Sequence, residues 1–104
     1  MDGVRQKIIT DGRKQLRLVE YTKAMPPHWC EKGHYGCILR GRFEIEFMDG
    51  IRVFEKGDGL FIPGGKDHKH RARTLSEAVR VVFMEDAEPI AVADGPIARD
   101  RSNR

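Results

Sequence analysis

Hydrophobicity in this chain alternates with a period of two, in short runs cut apart by Gly, Pro and Asp. The clearest run has Phe43, Ile45 and Phe47 interleaved with Arg42, Glu44 and Glu46. On extended backbone successive side chains point to opposite faces, so this run makes one apolar and one charged face, the signature of a half-buried β-strand. Asp49-Gly50 is a hairpin turn signal, and Ile51 to Glu55 returns as the partner strand. Gly57-Asp58-Gly59 turns again before a short strand Leu60-Phe61-Ile62, which Pro63-Gly64-Gly65 ends. Further strands are expected over residues 4–9 and 15–22, Tyr35 to Arg40, His68 to Thr74 and Ala78 to Met84. No long stretch keeps a period of 3.6. Seven or eight short strands at regular spacing imply an all-β domain, a closed barrel or a double-sheet jelly roll.

Length bounds the answer next. A chain of 104 residues has room for one core, so a single domain is expected over residues 1–86, with 87–104 as a C-terminal tail too poor in apolar residues to form its own core. No apolar run reaches the ~20 residues that cross a bilayer, and the N-terminus lacks the apolar stretch of a secretory signal, so a cytoplasmic protein without membrane contact is the expectation. Two cysteines, Cys30 and Cys37, in a reducing compartment are each expected as thiols. The net charge of +3 and a pI near 9.1 raise the question of an anionic partner. The one dense basic stretch, Lys66 to Arg73, places Lys69, Arg71 and Arg73 on a single strand face, and a solvated edge accounts for it without nucleic acid.

Four histidines are present, and three of them flank turns. His28 and Cys30 are two apart, so on extended backbone both project to one side and can share a metal ion. His34 follows the short loop Glu31-Lys32-Gly33, and His68 follows Pro63-Gly64-Gly65-Lys66-Asp67. A barrel brings these distant strands together. Taken singly, each has a plainer explanation: His28 as a strand cap, Cys30 as a small buried residue, His34 as a loop side chain. His70 shares strand parity with His68 and is expected at the barrel mouth, as a group behind the ligands or simply as a polar residue. Cys37, Trp29 and Tyr35 are expected to pack in the sheet or at a subunit contact, and a Cys–His nucleophile pair built on Cys30 ranks below metal binding.

At these positions the sequence resembles the small cupins. Residues 28–41 are similar to the first cupin motif, with His28, Cys30, His34 and Gly41 in its His, His, Glu and Gly positions. Residues 57–68 resemble the second motif, with Gly57, Pro63, Gly65 and His68 at its spacing and Ala72 in place of its trailing Asn. Fifteen residues separate the two motifs. The resemblance implies a cupin jelly-roll barrel with a divalent transition metal held by His28, Cys30, His34 and His68. Exchanging an imidazole for a thiolate and a carboxylate for an imidazole keeps the ligand charge at minus one while moving preference away from manganese towards zinc first, with nickel, iron or copper as alternatives. It further implies a small polar or anionic molecule inside the barrel, for which Arg40, Arg42 and Lys66 are nearby cations, and a homodimer. Cupins include enzymes as well as sensing and storage modules, so either a metal-dependent enzyme or a non-catalytic binding module is consistent with the residues.

Overall fold

The computed structural model describes residues 1–86; the expected tail, 87–104, lies outside the described residues. The strands are β1 (Val4–Asp11), β2 (Lys14–Thr22), β3 (His34–Arg40), β4 (Arg42–Phe47), β5 (Gly50–Glu55), β6 (Gly59–Ile62), β7 (Arg71–Thr74) and β8 (Ala78–Asp86), with one 3-10 turn over Lys66–His68. They form two antiparallel sheets, one in the order β1-β2-β8-β3-β6 and the other in the order β5-β4-β7. The expected all-β architecture is what the chain adopts.

Period two dictates the two faces of the large sheet. On β2 and β8, Val19, Val79, Val81 and Phe83 turn inward, and they meet Ile38, Leu60 and Ile62 from β3 and β6. Phe43 and Ile45 close this core from the small sheet. Each buried side chain of this size contributes about 1.5–3 kcal/mol, and side chains from both sheets interlock as in a sandwich. Tyr21, Phe47, Phe54 and Ala72 pack around its margin.

The basic run behaves as a matched edge. Arg71 and Arg73 lie opposite Glu46 and Glu44 in the β4–β7 register and pair with those carboxylates, while Lys69 and Arg71 sit over the Trp29 ring, 5.3 and 4.7 Å from its centroid. One expected strand begins later than the sequence pattern implies. His68 ends the 3-10 turn, whose His68 N–H donates to Gly65 O at 3.1 Å, and β7 starts only at Arg71. Gly65, at φ +112°, permits the reversal that uses up these residues.

Close backbone packing between β3 and β8 depends on Gly36. A Cβ built there falls 1.9 Å from the carbonyl oxygen of Val82, on the strand that forms the middle of the large sheet. Gly36→Ala is therefore expected to cost about 3 kcal/mol or more, because β3 must move away from β8 to admit a methyl group. Chemical denaturation measures it, and an unchanged midpoint and slope would contradict the packing described.

Candidate metal centre

Two remote segments meet at the mouth of the barrel through backbone hydrogen bonds, among them a reciprocal pair. Cys30 N–H donates to His70 O at 2.8 Å, and His70 N–H donates to Cys30 O at 3.0 Å. This antiparallel bridge places the Cys30 and His70 side chains beside His34, the first residue of β3. The sulfur of Cys30 and a ring nitrogen from each of His34 and His70 lie within 4.8 Å of one another, with His70 buried and the other two half-buried. Cys30 Sγ is 3.8 Å from His34 Nε2, and the two imidazoles stand nearly perpendicular, 5.0 Å between centroids.

The outer nitrogens of both rings are engaged. His70 Nδ1 donates to the carbonyl of His68 at 3.1 Å, and His34 Nδ1 donates to Glu85 Oε2 at 3.0 Å. With Nδ1 carrying the proton, each Nε2 keeps its lone pair, the tautomer that ligates a metal. Glu85 is itself fixed by Arg17, whose Nε and Nη2 reach its two oxygens at 3.0 and 2.9 Å, and by Gln15 Nε2 at 3.1 Å. Burial alone would push the Glu85 carboxyl up, yet the bonds from His34 and Arg17 hold it down at about 2. The Cys30 thiol is lowered to about 5, first by its contact with His34 and then by His70, against the opposing effect of burial. Burial acts to lower His34, but Cys30 and Glu85 outweigh it and raise its pKa. With its pKa at about 5, Cys30 is a thiolate near neutral pH, and the line thiolate–imidazole–carboxylate is also one that activates a nucleophile.

These groups line one cavity of about 950 Å³ whose wall includes Gln6, Gln15, Arg17, Tyr21, His34 and Glu85. Cys30, His28 and His70 also line it. Of the four ligands expected from the sequence, the structure brings Cys30 and His34 together. His28 is exposed at the cavity wall, with its Nδ1 3.2 Å from Pro26 O. His68 is exposed on the 3-10 turn, and it is His70 that faces Cys30 and His34. Strand parity with His68 places His70 at the barrel mouth, whereas Glu85, Arg17 and Gln15 stand outside both motifs. Their signal was positional: each is a polar residue at an inward position of an otherwise apolar strand face, Gln15 and Arg17 below Val19 on β2 and Glu85 beyond Phe83 on β8.

A soft thiolate with two imidazoles is a chemically coherent donor set for zinc or another late divalent metal, with Glu85 and the His68 carbonyl orienting the rings from behind. The depressed Glu85 carboxyl has a consequence for stability. A group whose pKa falls on folding stabilises the folded state above its ordinary value of 4.5, and that contribution disappears as pH drops towards about 2. Acid titration of folding stability should accordingly fall more steeply between those limits in the wild type than in Glu85→Gln; parallel curves would show that Glu85 is not held as described.

No protein-family profile matches the sequence, and no curated protein matches it. Solved structures do. KdgF from Halomonas sp. superposes with a TM-score of 0.68 at 22% identity, covering 86% of this chain and 83% of that one. A cupin-2 domain containing protein from Shewanella frigidimarina gives 0.66 at 19% identity, covering 80% of each chain. A sugar phosphate isomerase of the cupin superfamily from Silicibacter pomeroyi gives 0.67 at 14% identity, covering 86% of this chain and 62% of its own. Sharing their two-sheet barrel over most of its length, the chain has the fold of these cupin structures.

Proposed function

We propose that the chain binds one divalent transition metal, zinc before nickel, iron or copper, through Cys30, His34 and His70, and acts there on a small polar molecule held in the cavity. The observation that carries this reading is the convergence of one sulfur and two ring nitrogens within 4.8 Å on the wall of a 950 Å³ cavity. Three protein donors match the ligand number of catalytic rather than structural zinc sites. A metal held there would supply Lewis acidity. The protein's own contribution is orientation and charge. Glu85 keeps the His34 proton on Nδ1, Arg17 balances Glu85, and the buried faces of Phe83 and Ile62 limit water on the inner side. His28, on the same wall, can approach a ligand but is not needed to complete the trio.

A second reading follows from the 3.8 Å contact between Cys30 and His34: a metal-free nucleophilic thiol backed by Glu85. One experiment separates the two. Elemental analysis of protein purified without added metal should find one equivalent in the wild type, in His28→Ala and in His68→Ala, and strong loss in Cys30→Ser, His34→Ala and His70→Ala. Glu85→Gln should weaken metal affinity about 10–100-fold through His34. Metal-free wild type whose Cys30 is alkylated rapidly would support the thiol reading, and loss of metal in His68→Ala but not in His70→Ala would restore the motif-based set.

The outer face of the large sheet supports a homodimer. Ile9, Leu16, Met84, Tyr35 and Phe61 follow one another in register across β1, β2, β8, β3 and β6, and all five are exposed. Such a continuous apolar row on a soluble domain marks an interaction surface, and a second copy offers the same row for self-complementary packing. The charged row Asp11, Lys14 and Asp86 borders it, so a partner placed on the apolar row gains a polar rim. Light scattering should give a dimeric mass for the wild type and a monomeric mass for Met84→Glu, whose barrel remains folded by circular dichroism.

A further inference from the structure

The outer face of the large sheet carries four rows of side chains across its strands, and their order limits how a second copy can lie on it. The first row, at the mouth of the barrel, is Asp11, Lys14 and Asp86 on β1, β2 and β8. The second is the exposed apolar row that runs from Ile9 to Phe61. The third is Lys7, Leu18, Val82, Cys37 and Gly59, and it is shallow towards β6, since Val82 and Cys37 are half-buried and Gly59 has no side chain. The fourth is Arg5, Glu20 and Arg80, continued on β3 by Arg40. Within one protomer each charged row is already a ladder of alternating sign, with Lys14 paired to Asp86 and both Arg5 and Arg80 paired to Glu20. Outward residues on a strand recur about every 7 Å, so the two charged rows lie about 20 Å apart with the apolar rows between them.

From this pattern we infer the symmetry of the homodimer: its two-fold axis runs across the strands, midway between the second and third rows, and reciprocal ion pairs hold it there. The inference rests on the reading of this face as the dimer surface and deepens it by naming the contacts that set its geometry. When two copies of one face stack, the two-fold axis lies in the plane between them. Stacked sheets keep their strand directions within about 30°, so the axis runs either along the strands or across them. An axis along the strands sets each row on its own copy. Where it follows a strand, the charges on that strand meet themselves, Lys14 against the partner's Lys14 and Glu20 against the partner's Glu20 on β2. Where it passes between β2 and β8, Arg5 meets the partner's Arg40. In every case the bulky row stacks on the bulky row and the shallow rows face one another across a gap, which close packing disfavours. An axis across the strands reverses the row order instead. Arg5 then meets the partner's Asp11, Glu20 the partner's Lys14 and Arg80 the partner's Asp86, three pairs of opposite sign that the symmetry doubles. Arg40, without an ion pair among the described residues, adds a positive charge on the same side. The same reversal seats bulky side chains in the shallow row, Met84 over the partner's Val82, Tyr35 over the partner's Cys37 and Phe61 over the partner's Gly59. Charge and shape select one axis independently. The two barrel mouths then open at opposite ends of the dimer, and the partner's Arg80 lies beside Asp86, a residue of the cavity wall.

Charge complementation tests it. Arg80→Glu sets a carboxylate against the partner's Asp86 at both ends of the dimer, and Asp86→Lys sets an ammonium against the partner's Arg80. By sedimentation, each variant alone should dimerise about tenfold more weakly than the wild type, with its barrel folded by circular dichroism. Mixed in equal amounts the two should form a heterodimer of near wild-type affinity, because one end keeps the native pair and the other gains a pair of reversed sign. Effects of either substitution within its own protomer are the same in the mixture, so they cannot produce this recovery. Lys14→Glu mixed with Glu20→Lys is a second and independent complementation, which keeps the inference testable if one of the first variants folds poorly. Mixtures that associate no better than the single variants overturn this axis, as do single variants that dimerise like the wild type, while a dimeric wild type in the same experiment leaves the dimer reading standing. A monomeric wild type overturns both.

Discussion

The half-buried carboxylate of Glu85 is the constraint around which the mouth of this barrel is organised. A lone ionised carboxylate facing the interior of a sheet would be disfavoured by several kcal/mol, so the strands beside it must supply donors. They supply four bonds from three side chains: two from Arg17, one from Gln15 and one from His34. Because Gln15 and Arg17 sit on β2, Glu85 on β8 and His34 on β3, the network ties three neighbouring strands together side chain to side chain, in the same rows where their backbones already pair. Each donor that satisfies Glu85 is itself oriented by doing so. His34 is left with Nε2 pointing to Cys30, and Gln15 with its oxygen unpaired among the described residues. The chemistry of the site is thus a by-product of solving one electrostatic problem.

The remainder of the interior solves the opposite problem, that of excluding water. Val19, Val79, Val81, Ile38 and Phe43 form a dry core at the far end of the same strands. Along β8 the inward positions read Val79, Val81, Phe83 and Glu85, so the transition from core to site takes place within a single strand over one residue pair. Phe83 is the boundary. Its ring lies 4.9 Å from the His34 ring centroid on one side and 4.9 Å from the Arg17 guanidinium on the other, closing the apolar core under two charged or chargeable groups. A barrel with one polar and one apolar end needs no separate domain to make a binding cavity. A cavity open at one end then follows from strand length and parity.

Most of the fold was legible because it depends on local rules. Alternation marked Phe43 to Phe47, Asp49-Gly50 marked the hairpin, and the glycines at 57 and 65 mark turns that the structure realises at positive φ. The site was legible only in part, because it depends on counting residues through a turn. After Gly65 the chain makes a 3-10 turn through Lys66–His68 before extended backbone resumes, so the histidine that faces inward is His70. Motif spacing places a histidine at 68, and nothing in the local pattern shows how many residues the turn will consume. Glu85 was hidden for a different reason. Read as ending at Met84, the last strand loses its final inward position, and only the partner bonds from β2 and β3 reveal that the strand continues.

The bridge between Cys30 and His70 shows why such a site can depart from the residues that usually build it. Backbone hydrogen bonds hold these segments in contact, the reciprocal Cys30–His70 pair and Gly65 N–H to Glu31 O, and none of them is made by a side chain. The side chains at the bridge are consequently free to change, provided that the donors they present still converge on one point and their outer nitrogens still find acceptors. Here a thiol occupies one position and an imidazole from the opposite segment the other, while a carboxylate and a backbone carbonyl stand behind the rings. Backbone pairing therefore fixes the place of the candidate site, the network around Glu85 fixes the orientation of His34, and the side chains at the bridge are the part left open to change.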